Sequence, residues 1–177
     1  MKEIVGQGQV TLAPEGHLLQ PLLEHARRNP TKPMFSHRVG DRFESLTAEQ
    51  VAQTVRRLAR GLIALGVEPG QRVGLMSKTR LEWVLLDFAI LAAGAVTVPI
   101  YETSSAEQVE WILRDSEAVA AFFETDTLHG LYRQVADTLP ACRNTFVIDQ
   151  AALDHLQQRG GEVDEARLDE RLARLKT

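Results

Sequence analysis

The sequence predicts an α/β fold: a doubly wound, mostly parallel sheet flanked by helices, with a short N-terminal helix and hairpin ahead of it. Three observations lead there. Short, nearly continuous apolar runs (RVGLMS, AVTVPIY, AVAAFF and TFVID) alternate with helix-period segments between Thr47 and Gln150. The runs do not alternate between apolar and polar residues, so each strand is covered on both faces, and the intervening helices are right-handed crossovers. The 177 residues, 44% of them apolar and 25% charged, hold enough material for one sizeable core.

In chain order, Leu18, Leu19, Leu22, Leu23 and Ala26 recur at helical spacing until Asn29 and Pro30 stop the pattern, which predicts a short amphipathic helix. MFSHRV and RFESL, joined at Gly40-Asp41, predict a hairpin. Thr47 and Gln50 form a capping box, and Val51, Val55, Leu58, Leu62 and Leu65 continue as one apolar stripe to Gly66, which can take the left-handed C′ conformation. Arg56, Arg57 and Arg60 fall opposite that stripe and read as a solvated face. After Pro69-Gly70 come the strand RVGLMS, a helix from about Arg80 to Ala93 ending at Gly94, and the strand AVTVPIY. A second capping box, Ser105 with Gln108, opens a helix through Val109, Ile112 and Leu113 that runs out near Asp115-Ser116; AVAAFF, a helix near Leu128 to Leu139, and TFVID follow. The end of the chain, Val163 to Lys176, repeats Leu168, Leu172 and Leu175 among balanced charges and reads as a surface helix. The expected division is 1–46 (helix and hairpin), 47–150 (α/β subdomain) and 151–177 (charged helical tail).

Lys plus Arg number 20 against 24 Asp plus Glu, so the net charge of -4 creates no field for nucleic acid, which is excluded as a main partner. One cysteine, Cys142, forms no internal disulfide, and the five histidines lack metal-ligand spacing; a reducing cytoplasm is expected. MKEIVGQGQV lacks a signal-peptide core, and Gly6-Gln7-Gly8 reads as a flexible terminus. The most apolar stretch, Trp83 to Ile100, contains Asp87, Thr97 and Pro99, so no transmembrane segment is expected.

The parts of most enzymes are missing. The sequence has no G-x-x-x-x-G-K-[ST] loop, no G-x-G-x-x-G between strand and helix, and no G-x-S-x-G elbow. Cys142 follows Pro140 with no histidine nearby and reads as structural, while solvation or capping explains Glu82, Asp87, Glu107 and Glu110.

One resemblance is nonetheless specific. LTAEQVAQTVRRLARGLIALGVEPGQRVGL and EWVLLDFAILAAGAVTVPIYETSSAEQVEWILRDSEA resemble the N-terminal part of AMP-forming acyl-CoA synthetases of the long-chain fatty-acid type. Gly94-Ala95-Val96-Thr97-Val98-Pro99 is similar to the wider adenylate-forming superfamily; Tyr101-Glu102-Thr103-Ser104-Ser105 followed by Glu107-Gln108-Val109 is the more long-chain-like part. Weaker similarity continues through Asp149.

The resemblance implies a parent ligase that joins a fatty acid to CoA, using ATP and magnesium, through an acyl-adenylate. It also implies that the phosphate loop, the Thr-Glu pair, the ribose-binding Asp and the C-terminal Lys lie downstream, so Thr177 falls shortly before the phosphate loop. The chain alone is then a scaffold without catalytic residues, metal ligands or a bound cofactor. Its expected partners are the remainder of the parent ligase and, within the parent, fatty acid and CoA. The expected location is cytoplasmic, with the membrane periphery left open. Because ligands of parallel sheets sit outside the carboxyl ends of strands, Ser77, Lys78, Tyr101, Glu102, Thr103 and Ser104 are the candidate site-edge residues, although turn and cap chemistry is the favoured account of each. Two alternatives stay open: a standalone small-molecule or CoA-binding module, and a self-association module. A homo-oligomer is expected, with AVTVPIY and AVAAFF as the exposed apolar surface and a bare strand edge beside them.

Overall fold

The computed structural model describes residues 16–175, so the reading of Gly6-Gln7-Gly8 lies outside the described residues. α1 (Gln20–Arg28) leads into an antiparallel hairpin, β1 (Pro33–Val39) and β2 (Arg42–Thr47), turning at Gly40-Asp41. Leu22 is buried on α1, but Leu18 lies in the turn before the helix and is 76% exposed. Pro21 in the first turn places the helix start after Leu18, so the leucine drops out of the apolar face that its spacing suggested.

α2 (Ala48–Ala64) opens with the predicted capping box: the Gln50 N–H donates to Thr47 Oγ1 at 3.3 Å, and the Thr47 N–H donates to Gln50 Oε1 at 2.8 Å. It closes at Gly66, whose φ of 86° lets the Val67 N–H reach Leu62 O and the Gly66 N–H reach Ile63 O, a Schellman motif. β3 (Arg72–Met76), α3 (Leu81–Ala92) and β4 (Val96–Ile100) follow, and Gly94 ends α3 by the same device. α4 (Ala106–Asp115) starts at the Ser105–Gln108 box, and β5 (Ala120–Phe123) comes next. α5 covers only Asp126–Arg133, with a 3-10 turn at Ala136–Thr138 in place of the longer helix expected to Leu139. The break lets Leu139 and Cys142 turn inward, where the Tyr132 hydroxyl donates to Cys142 O at 2.5 Å. β6 (Asn144–Val147), α6 (Gln150–Gly160) and α7 (Glu165–Arg174) complete the described chain.

The four strands pair in parallel in the order β4-β3-β5-β6. Alternate residues feed two cores. Val73, Leu75, Ala120 and Phe122 pack toward α2, α3 and α6, while Met76, Ala121 and Phe123 pack with Val109, Leu113 and Tyr132 of α4 and α5. Helices therefore cover both faces, and the doubly wound expectation holds.

Two expectations are corrected. Arg56 and Arg60 do not form a solvated face: Arg56 pairs with Asp169 at 2.7 Å, and Arg60 pairs with Glu165 at 3.0 Å while donating to Gly160 O at 2.8 Å. Only Arg57 of the three is exposed. AVAAFF is not an uncovered surface either. β5 lies between β3 and β6, and Phe122 is 2% exposed.

Candidate functional site

The carboxyl ends of β3 and β4 open onto a cleft of about 460 Å³. β3 passes straight into Ser77, Lys78 and Thr79, and β4 into Tyr101 and Glu102; Trp83 on the first turn of α3 supplies the third wall. Four of the six candidate residues, Ser77, Lys78, Tyr101 and Glu102, thus meet at one cleft. The other two do not line it. Thr103 is exposed, and Ser104 borders a shallower apolar recess with Tyr101, Glu107 and Trp111. Tyr101 and Trp111 are 81% and 65% exposed, which makes an aromatic shelf beside the cleft.

Thr79 also borders a second cleft of about 480 Å³, between β1 and the start of α3, where Ser36, His37, Arg38, Arg80 and Glu82 gather. Arg80 and Glu82 pair at 2.6 Å, and that hydrogen bond holds the Glu82 carboxyl below the ordinary carboxylate range against the opposing effect of burial. At the mouth of α4, Ser105 Oγ donates to Glu107 Oε2 at 2.7 Å, which lowers the Glu107 pKa.

The turn between the clefts is tightly held. Ser77 is 8% exposed, and its Oγ donates to Lys78 O at 2.7 Å. The Lys78 N–H donates to Glu124 Oε2 at 2.9 Å, and the Glu124 N–H donates to Met76 O at 2.8 Å. Glu124, Thr79 and Trp83 were not singled out from the sequence. Thr79 and Trp83 stand two residues before and two residues after Leu81, the start of α3, a helix legible in the sequence, whereas Glu124 reaches the turn only because β5 lies beside β3.

The charge in the first cleft is one ammonium, Lys78, and one carboxylate, Glu102. This donor set does not fit a magnesium triphosphate, which needs several cationic groups and oriented N–H donors. Among the described residues, no three His, Cys, Asp or Glu side chains gather as metal ligands do. Cys142 is buried, and burial pushes its thiol up to about 12, so it is no thiolate near neutrality. No helix among the described residues is long and apolar enough to cross a membrane.

The family model described as AMP-binding enzyme matches residues 22–174. A curated relative from Mycobacterium bovis, long-chain-fatty-acid–CoA ligase FadD15, is 43% identical over 180 residues, covering 100% of this chain and 30% of the relative. The chain therefore spans about a third of the length of that curated relative. Among solved structures, the anthranilate CoA ligase AuaEII in complex with anthranoyl-AMP superposes with a TM-score of 0.70 at 26% identity, over 78% of this chain and 26% of that one. A long-chain-fatty-acid-CoA ligase (FadD1) from Archaeoglobus fulgidus shares the fold with a TM-score of 0.72 at 21% identity, over 88% of this chain and 32% of that one.

Proposed function

The chain belongs to the AMP-binding enzyme family, and from that premise we propose that it is the N-terminal part of an ATP-dependent long-chain fatty-acid–CoA ligase. The observation that carries the proposal is identity of 43% along the whole chain to a ligase named for that substrate. In the complete enzyme, the fatty-acid carboxylate attacks the α-phosphate of ATP. Pyrophosphate leaves, and the CoA thiol then displaces AMP from the acyl-adenylate to give acyl-CoA. ATP, magnesium and CoA are cofactors and substrates of that complete enzyme, and the reducing cytoplasm is its proposed compartment.

This chain supplies scaffold and a cleft edge to that reaction. Ser77, Lys78, Tyr101 and Glu102 line a wall that the rest of the ligase completes. The charge repulsion between carboxylate and α-phosphate needs more cationic groups than this cleft contains, so the chain alone is catalytically silent. Pyrophosphate exchange tests this directly. With fatty acid and magnesium ATP, the complete ligase exchanges label and the 177-residue chain stays at background. Exchange by the purified chain would overturn the scaffold role, and a complete protein inert toward long-chain acids would overturn the ligase reading.

A further inference from the structure

We infer that Glu124 is a positioning residue for the ligase site, acting through the turn Ser77–Lys78–Thr79; this inference rests on the ligase reading. β3 and β5 are adjacent and parallel, and Met76 is in register with Phe123, so Glu124 emerges from the sheet directly beside Ser77. The chain leaves these two strands toward opposite faces, β3 into α3 and β5 into α5. That is the topological switch point at which doubly wound sheets place their ligands.

At this point both main-chain polar groups of Lys78 are held by side chains. Its N–H donates to Glu124 Oε2 at 2.9 Å, and its carbonyl accepts from Ser77 Oγ at 2.7 Å. The next residue, Thr79, borders both the cleft of about 460 Å³ and the cleft of about 480 Å³. A carboxylate that accepts from a backbone N–H makes a charge-assisted bond, stronger than a neutral one. Glu124 therefore sets where the wall between the two clefts stands. Its own N–H, bonded to Met76 O, locks the carboxylate to the sheet rather than to a loop. Shifting such a wall by an ångström changes how a substrate sits without removing any group that reacts.

The test uses Glu124→Ala and Glu124→Gln in the complete ligase that carries this chain, with KM for fatty acid, ATP and CoA measured separately. The expected result for Glu124→Ala is a rise of about fivefold or more in the KM of one substrate while kcat moves by less than about twofold. Glu124→Gln keeps an acceptor oxygen and restores all constants to within about twofold. A uniform loss of kcat with all three KM values unchanged, no kinetic change, or a Glu124→Gln variant as impaired as Glu124→Ala each overturns the inference. Should Glu124→Ala fail to fold, Glu124→Asp, which draws the carboxylate back from the Lys78 N–H by one methylene, carries the same expectation. If the wild-type ligase is inert, the ligase reading fails on its own. Amide hydrogen exchange in this chain then decides the tie: Glu124→Gln leaves Lys78 protected, Glu124→Ala speeds its exchange about tenfold, and unchanged exchange overturns it.

Discussion

Replacing Arg171 by methionine tests how the last helix is joined to the sheet layer. The guanidinium is 7% exposed, and its Nη1 donates to Val67 O at 2.7 Å and Ala93 O at 2.9 Å, while Nη2 reaches Glu68 Oε2 at 2.9 Å. Val67 follows the end of α2, and Ala93 caps α3, so one cation sits on the carbonyl ends of two helices and ties both to α7. Burial pulls the Arg171 pKa below the ordinary arginine value, and Glu68 partly offsets this. Methionine fills the aliphatic stem but leaves two carbonyls without a donor, at about 1–3 kcal/mol each; the desolvation of the guanidinium, no longer incurred, returns part of that. The net loss is about 3 kcal/mol. With a urea m-value of about 2 kcal/mol/M, the unfolding midpoint falls by about 1.5 M at unchanged slope. Lysine, a single ammonium that cannot span both carbonyls and Glu68, recovers less than half. A shift below about 0.3 M for Arg171→Met would refute the reasoning, because it would mean that water or backbone adjustment satisfies both carbonyls.

The remaining predictions concern single sites. Gly160→Ala places a methyl 2.5 Å from Arg57 O and 2.9 Å from the Gly61 N, backbone atoms that cannot swing aside, so α6 must move off α2; a loss of about 3 kcal/mol or more is expected in denaturant unfolding, and a loss under about 1 kcal/mol would show that the helices slide freely. Glu117 holds φ of 50° at the end of α4, and Glu117→Gly relieves about 1 kcal/mol of left-handed strain for a mostly exposed ion pair to Arg72 worth less, so the unfolding free energy in denaturant stays level or rises; a drop of more than about 1 kcal/mol counts against it. Burial, then Arg133, lowers the His129 pKa from its ordinary 6.5, with Asp126 opposing. The unfolded chain therefore takes up this proton first as pH falls, so the stability contribution is complete above about pH 6.5 and is lost on acidification. His129→Phe keeps the stack on Phe123 and Tyr132 and flattens melting temperature against pH between about 7 and 5; an unchanged profile assigns the acid sensitivity elsewhere.

What could be read in the sequence was local. The two capping boxes and the glycine stops at Gly66 and Gly94 are complete within six residues, and each stands where its spacing placed it. What was missed depends on distant partners. Arg56 and Arg60 resemble any exposed arginines until Asp169 and Glu165, more than a hundred residues later, are folded against them. α6 was hidden inside an expected charged tail because AALDHLQQRGG has a weak apolar stripe and two glycines. One of those glycines is what lets α6 pack closely on α2. The same distinction governs the cleft: Ser77, Lys78, Tyr101 and Glu102 directly follow an apolar run and are legible at its strand ends, whereas Glu124 is brought beside Lys78 only by the strand order.

Strand order also bears on the exposed edge. The Val96 N–H donates to Gln71 O at 2.8 Å, and in a parallel ladder alternate residues face the same neighbour, so Val98 and Ile100 also turn toward β3. Thr97 and Pro99 then face outward. Pro99 has no N–H, so the free side of β4 lacks a donor at its middle and cannot carry a full ladder to another strand. That is how sheets protect an edge, and it weakens the argument that β4 invites pairing with a second copy. The apolar matter left open on this side is at Val96, Tyr101 and Trp111, which are side chains rather than a bare backbone. A surface of that kind is met by packing of side chains against it. The aromatic shelf begins at Tyr101, which also lines the first cleft, so the two recesses share one wall.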